Sequence, residues 1–457
     1  MAGTVLAETY THRGMRWHIR RTLALAIPVM GARLGLMLMV TVDSIMAGHY
    51  GGAALAHYGI ALAPHIFLLV VGIGLLVGTV VLVGQADGAG EPEKCGAIWH
   101  SSLILAAVAG VMAGGVMLFG ETVLDLMGQT ADMARGGGAA LHGFALGMPA
   151  ILLYLATSFL LEGVGRPRAG MLIALSANLP NLALNWVLIG GHLGLPEMAA
   201  AGAALATTVT RWLMLAALLT YALTLHDRAR YRLTTGALAT RATIGRLIHI
   251  GTPLAIATGL ESGSFTMLAT FAGWLGEVEM AAYQTCINVV SFAFMMAIGL
   301  STATSVRAAN AVGRGDRRGL ALAGWLGTAL ATVLMLAIGI VVLWQREALA
   351  MLYSDVEAVR DLARTGLLLV AAVLVFDGIQ ATLMGAHRGA ADVVIPTTCQ
   401  GVAFWIIGVP AAYLLGVHMG YGVPGLLFGL LMALIAASLF LTSRFAWLSR
   451  QAVKRYA

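Results

Sequence analysis

The chain has 457 residues, 59% of them hydrophobic and only 11% charged, with a mean hydropathy of +0.87. Soluble domains carry about 25% charged residues, so this composition excludes an ordinary soluble globular protein and indicates a chain largely dissolved in lipid. The net charge of +6 and pI near 9.4 then read as basic loops on one side of a membrane, not as a nucleic-acid surface. The three cysteines, Cys95, Cys286 and Cys399, stand apart with no CxxC pair or His cluster, which excludes a disulfide framework or a Cys/His metal site.

Along the chain, a basic lead (Arg13, Arg16, Arg20, Arg21) precedes an apolar segment that begins near Thr22. That segment runs on too long for the core of a cleavable signal and reads as the first span. Twelve segments reach the roughly 20 apolar residues a helix needs to cross the bilayer. They are 22–47, 56–83, 96–119, 139–161, 169–190, 198–225, 246–271, 280–305, 319–343, 362–386, 393–416 and 424–447. Gly, Pro and charge mark the breaks, as in VGQADGAGEPEK and NAVGRGDRRG. Helices satisfy their own backbone in lipid, so the fold class is an all-α polytopic membrane protein.

With the N-terminus cytoplasmic, 21 of the 27 Lys and Arg fall on the cytoplasmic side and only Arg135, Arg346, Arg360 and Arg364 outside. Arg33 and Arg211 remain within spans. Both termini are therefore expected inside.

A shift of 225 residues superimposes the two halves: Pro28 falls on Pro253, Gly48 on Gly273, Tyr58 on Tyr283 and Gly74 on Gly299. Gly88 and Gly90 fall on Gly313 and Gly315, and after the fourth span the match slips by about one residue. The expected organisation is an N-terminal lobe at 1–225, an Arg-rich cytoplasmic linker at 226–246 and a C-terminal lobe at 247–457. Two parallel six-span repeats are a pattern of alternating-access transporters.

Three acids interrupt the apolar runs: Asp43 in MVTVDSIMAG, Glu261 in GLESGSFTML and Asp377 in LVFDGIQATL. A charge at mid-bilayer depth costs at least ~2.5–3.5 kcal/mol, so each is a functional candidate. The structural alternative for each is an interhelical hydrogen bond. Arg33 requires a partner or water at its depth, and Arg211 reads as a snorkelling residue. His65, His142 and His249 read as packing residues before proton relays. Ser354 and Asp355 read as the N-cap of the tenth span.

The segments VDSIMAGHYG, VGQADGAG, VRAANAVGRGD and GAHRGAADVVIPT fall at equivalent places in the two halves. Together they resemble the multidrug and toxic compound extrusion (MATE) family, and Glu261 with Asp377 resembles its NorM-like branch. The resemblance implies a V-shaped pair of six-helix lobes around a central cleft, in a bacterial inner membrane. It implies a secondary-active antiporter that exports cationic amphipathic drugs and dyes in exchange for inward Na+ or H+. No cofactor or ATP is implied, and a monomer is the expected functional unit. Carried over by position, Glu261 and Asp377 match cation-binding acids that would hold Na+ in a sodium-coupled member, and Asp43 matches the acid of the first lobe. Gln284, Asn288 and Phe265 match cation or drug contacts, and Asp43 is also a candidate for the drug. Asn181, Asn185 and Thr207 match a polar cluster around Asp43, although one branch has Asp where this chain has Asn185.

Read from the residues, Gln284 and Asn288 share a helix face and serve equally as interhelical glue. Phe265 lies one turn beyond Glu261, where it either walls a cavity or simply packs. The competing assignments are a flippase of lipid-linked or polysaccharide cargo and, in a different class, an intramembrane enzyme. An anionic cargo calls for several Arg or Lys in the spans, against the three acids present. No HExxH, GxSxG or paired-Asp motif supports an enzyme.

Overall fold

The computed structural model describes residues 14–234 and 239–452, so Arg13, Lys454, Arg455 and part of the 226–246 linker lie outside the described residues. The described chain is all-α. In order the long helices are α1 (Met15–Tyr50), α2 (Gly52–Gly88), α3 (Glu93–Leu118), α4 (Ala131–Ala145 with Gly147–Gly163, bent by 43°), α5 (Arg168–Ile189) and α6 (Ala199–Thr224). The second half continues with α7 (Arg241–Leu275), α8 (Glu277–Arg314), α9 (Arg317–Trp344), α10 (Glu357–Gly389), α11 (Val394–His418) and α12 (Gly422–Leu448).

Ten of these helices are long and apolar enough to cross a membrane, and α4 makes eleven when its two parts count as one span. Helix α7 completes the twelve. Its 35 residues reach about 52 Å at 1.5 Å per residue, but its middle, TGLESGSFT, carries Glu261 among small polar residues and lowers its mean hydropathy. Several helices run past their apolar windows: α8 was expected over 280–305 and extends from Glu277 to Arg314. Hydropathy marks the lipid slab, whereas the backbone ladder continues into water wherever Arg, Glu and Ala sustain it. Apolar residues exposed along α3 and α9, such as Met112 at 68% and Val333 at 66%, form faces suited only to lipid.

The repeat is visible in the backbone. Gly90 and Gly315, 225 residues apart, both turn the chain at positive φ (+78° and +71°). Gly165 and Ala391 do the same (+78° and +58°) at a spacing of 226, where the sequence match slips by one. Short helices Gly120–Leu126 and Arg346–Tyr353 follow α3 and α9 at the same spacing.

By internal contacts the chain forms two compact units, one of Gly31–Asp87 and Glu91–Ala255, the other of Met1–Met30, Gly88–Gly90 and Ile256–Ala457. The divisions thus run through α1 and α7, just after Pro28 and Pro253, and not at the ends of those helices. In the second unit α10 packs against α8, α9 and α12. Its approach to α8 depends on Gly385 and Gly389: a Cβ at these positions falls 2.3 Å from the Ser301 carbonyl oxygen and 2.4 Å from that of Ser305. Small residues one turn apart are the usual device for close helix contact in lipid. Ser301 Oγ donates to the Ala381 carbonyl at 2.6 Å and fixes the register that places Asp377. In the first unit, Gly110 and Gly114 of α3 play the same part against Pro149 and Ala145 at the bend of α4.

The turn from α10 to α11 is tied by Asp392. Arg444 of α12 donates to both its oxygens (3.0 and 2.9 Å), and His387 Nδ1 lies 2.9 Å from Oδ2. Burial pushes this carboxyl up, but the hydrogen bonds from His387 and Arg444 outweigh it and hold the group at about 2. At the other end of α10, the expected cap is replaced. Val356 occupies the N-cap without a side-chain bond, Ser354 accepts from the Val356 N–H at 3.2 Å, and Asp355 pairs with Arg360 at 3.0 Å.

Candidate functional site

The second unit places Glu261 in the middle of α7. Ser264 donates to the Glu261 backbone carbonyl at 2.7 Å, so that hydroxyl serves its own helix. The carboxylate is met instead from α11: Gln400 Nε2 donates to Glu261 Oε2 at 2.9 Å. One and a half turns on, Trp405 Nε1 donates to the Leu260 carbonyl at 2.9 Å, which fastens α11 to α7 beside the acid. Helix α11 is irregular here. Val402–Gly408 and Tyr413–His418 are π-helical on either side of Val409–Ala412, and π segments are frequent at functional sites.

Asp377 on α10 is 3% exposed and lies within electrostatic range of Glu261. Its Oδ2 is buried with no donor among the described residues, as are Oε1 of Gln380, one turn further along α10, and Oε1 of Gln400. A buried acceptor left without a hydrogen costs about 1–3 kcal/mol. Asp377 Oδ2 and the amide oxygens of Gln380 and Gln400 are thus acceptors left open among the described residues.

Gln284 and Asn288 do share a face of α8, and Gln284 Nε2 donates to Asn288 Oδ1 at 3.4 Å. Gln284 is exposed and Asn288 half-buried; among the described residues no hydrogen bond joins either to Glu261 or Asp377. Phe265 is half-buried and packs near Phe404, ring centroids 6.5 Å apart, while its carbonyl accepts from the Tyr283 hydroxyl at 3.3 Å.

The first unit builds a second cluster. Asp43 of α1 is fully buried and accepts from the Tyr58 hydroxyl (3.0 Å), from Asn185 Nδ2 (2.6 Å) and from the Thr207 hydroxyl. Asn185 also donates to Asn181 Oδ1 at 3.2 Å, and Asn181 donates to Thr207 at 3.4 Å. The four polar residues predicted here from sequence thus meet, with Tyr58 as an added donor.

Arg211 differs from expectation. It does not snorkel: it is 5% exposed, one turn beyond Thr207 on α6, with Nη2 2.9 Å from His65 Nε2. A guanidinium has no acceptor, so His65 Nε2 accepts and its proton sits on Nδ1. Phe144 stacks on His65 at 4.1 Å, and Arg211 lies 5.7 Å from the same ring. His142 faces the Leu118 carbonyl at 2.8 Å, and His249 is exposed. Arg33 lies over the Phe159 ring at 5.7 Å. Gln400, Tyr58 and the Arg211–His65 pair were not apparent as site residues from sequence. Glu162, 2% exposed and accepting from Ser158 at 3.0 Å, also escaped notice because it falls one residue past the predicted end of the fourth span.

The chain matches the MatE family model over residues 28–187 and 253–414, two copies that begin at Pro28 and Pro253. It is 32% identical over 434 residues to the probable multidrug resistance protein NorM of Xanthomonas campestris, covering 95% of each chain. It is 31% identical over 435 residues to the multidrug resistance protein NorM of Vibrio cholerae, covering 93% of this chain and 95% of that one. Among solved structures, the eukaryotic MATE transporter AtDTX14 aligns with a TM-score of 0.86 at 22% identity, over 95% of this chain and 99% of that one, which supports the fold. The chain is a NorM-like member of the MATE family of membrane transporters.

Proposed function

We propose that the protein is a secondary-active efflux antiporter that exports cationic amphipathic compounds in exchange for inward Na+ or H+, by alternating access. It would lie in a bacterial inner membrane with both termini cytoplasmic and work as a monomer. The observation that supports this reading is two intramembrane carboxyl groups of one unit, half-buried Glu261 and buried Asp377, with Asp377 in electrostatic range of Glu261 and its Oδ2 without a donor among the described residues.

In the proposed cycle, an ion arriving from outside neutralises the Glu261–Asp377 pair and stabilises the conformation that releases the drug. Loss of the ion to the cytoplasm restores the negative charge and the affinity for a cationic drug. Coupling then equals the difference in affinity of the two conformations for each ligand, and nothing else drives it. Asp43 and Phe265 are the proposed drug contacts, with Gln284 and Asn288 lining the approach. The acid-rich, base-poor character of the second-unit site supports cationic over anionic cargo.

The test is ethidium transport by inverted membrane vesicles carrying the protein, under an imposed sodium gradient or an imposed pH gradient. The proposal expects one of the two to drive transport. Dependence on neither contradicts it and favours a flippase of larger cargo.

A further inference from the structure

The first half of α1 belongs to the second unit and is held there by one face. Arg307 of α8 donates to the Thr22 hydroxyl and, through Nη2, to His18 Nδ1 at 2.8 Å. Further along, Gly299 of α8 admits the helix closely: a Cβ there falls 2.9 Å from the Ala26 carbonyl oxygen. His18, Thr22, Leu25, Ala26 and Val29 are accordingly buried. At 3.6 residues per turn the opposite face is Arg16, Arg20, Leu23, Ala24 and Ile27. That face is open: Arg16, Arg20 and Ala24 are exposed, and Ile27 is 58% exposed. A shallow groove of about 420 Å³ runs along it, lined by these residues and Ile19.

The groove has a charged head and an apolar tail. Arg16 and Arg20 stand one turn apart at its head. No acid lies in the first turn of α1, and among the described residues neither arginine has an ion pair or hydrogen-bond partner. Arg16, in that first turn, also faces the positive end of the helix dipole, so it gains nothing from its own helix. Two unpaired guanidiniums call for an anion from outside the chain. Beyond them Ile19, Leu23, Ala24 and Ile27 offer only apolar surface. From Arg16 to Ile27 the helix rises about 16 Å, the depth of one leaflet in a hydrocarbon core roughly 30 Å thick.

We propose that this groove seats one anionic phospholipid, its phosphate headgroup between Arg16 and Arg20 and an acyl chain along Leu23, Ala24 and Ile27. A zwitterionic lipid brings the same chain without net charge, so the arginines select the anionic headgroup while the apolar stripe holds the chain. The inference stands whichever ion Glu261 and Asp377 take.

The experiment titrates the full-length protein, in neutral detergent, with an equimolar mixture of palmitoyl-oleoyl phosphatidylglycerol and palmitoyl-oleoyl phosphatidylcholine. Native mass spectrometry reads the ratio of the two in the first bound lipid. Wild type should prefer phosphatidylglycerol. Arg16→Gln or Arg20→Gln alone should lower that preference about 5-fold, and the two together about 30-fold. At about 1.4 kcal/mol per decade this is the roughly 1 kcal/mol that each arginine contributes near an anionic lipid surface. Ala24→Trp, which fills the groove and leaves both charges in place, should weaken binding of both lipids. Arg317→Gln with Arg318→Gln, exposed arginines at the start of α9, should leave the ratio unchanged. An unchanged ratio in the Arg16 and Arg20 variants overturns the proposal, as does an equal fall in the Arg317 and Arg318 variant, which marks general surface charge. Undiminished lipid binding by Ala24→Trp also overturns it, and decides alone if the arginine variants insert poorly.

Discussion

Replacing Gln400 by Met tests how the ion-free state of the second-unit site is held. The substitution keeps side-chain length beside Trp405 and removes the amide that donates to Glu261 at 2.9 Å. A buried hydrogen bond to a charged group is worth about 1.5–3 kcal/mol, whereas the bond the amide can keep to a neutralised Glu261 is worth about 0.5–1.5 kcal/mol. The difference, about 1–2 kcal/mol, favours the empty carboxylate and opposes ion binding. At about 1.4 kcal/mol per decade, Gln400→Met should lower the half-activating ion concentration roughly 5- to 30-fold. Maximal turnover should also fall, because the ion leaves more slowly. The assay is dye efflux from proteoliposomes over a titration of the driving ion. An unchanged or raised half-activating concentration refutes the reasoning, since Gln400 would then not compete with the ion.

Three further outcomes follow from the packing and electrostatics. Gly385→Val puts side-chain atoms against the Ser301 carbonyl, only 2.3 Å from the Cβ position. It should destabilise the second unit by at least about 1–3 kcal/mol, seen as a lower melting temperature in detergent. The Asp392 carboxyl, held at about 2, is depressed relative to the unfolded chain, so its contribution is present above pH 4 and lost as the pH falls through 2. Asp392→Asn should therefore destabilise by about 1–2 kcal/mol at neutral pH, with the gap to wild type closing toward pH 2 in thermal unfolding. Tyr58→Phe removes one of the donors to Asp43 and should cost about 1–3 kcal/mol of stability, measured by the same melts, without changing the ion that drives efflux.

Much of the architecture was legible in the sequence because lipid imposes a simple rule. Segments of about 20 apolar residues had to be helices, and the 225-residue shift reappears in paired positive-φ turns at Gly90 and Gly315. The acids were legible for the same reason, since an ionisable group in an apolar run is expensive. What the sequence hid were neutral or contextual partners. Gln400 is one amide among many polar residues, and only the approach of α11 to α7 joins it to Glu261. Arg211 near a helix end reads as a snorkelling residue until the packing of Phe144 and His65 encloses it. Asn185 and Thr207 were expected beside Asp43, but Tyr58, the added donor to that acid, was not. The weak apolar signal of α7 coincides with Glu261, and the first π segment of α11 begins just after Gln400, where local regularity gives way.

The central claim is that Glu261, with Asp377, carries the ion exchanged for drug. It is tested most directly by ethidium efflux from proteoliposomes under the driving ion gradient, comparing wild type with Glu261→Gln at matched membrane insertion. The account predicts that the variant inserts normally and shows no gradient-driven efflux. Undiminished efflux by Glu261→Gln contradicts it.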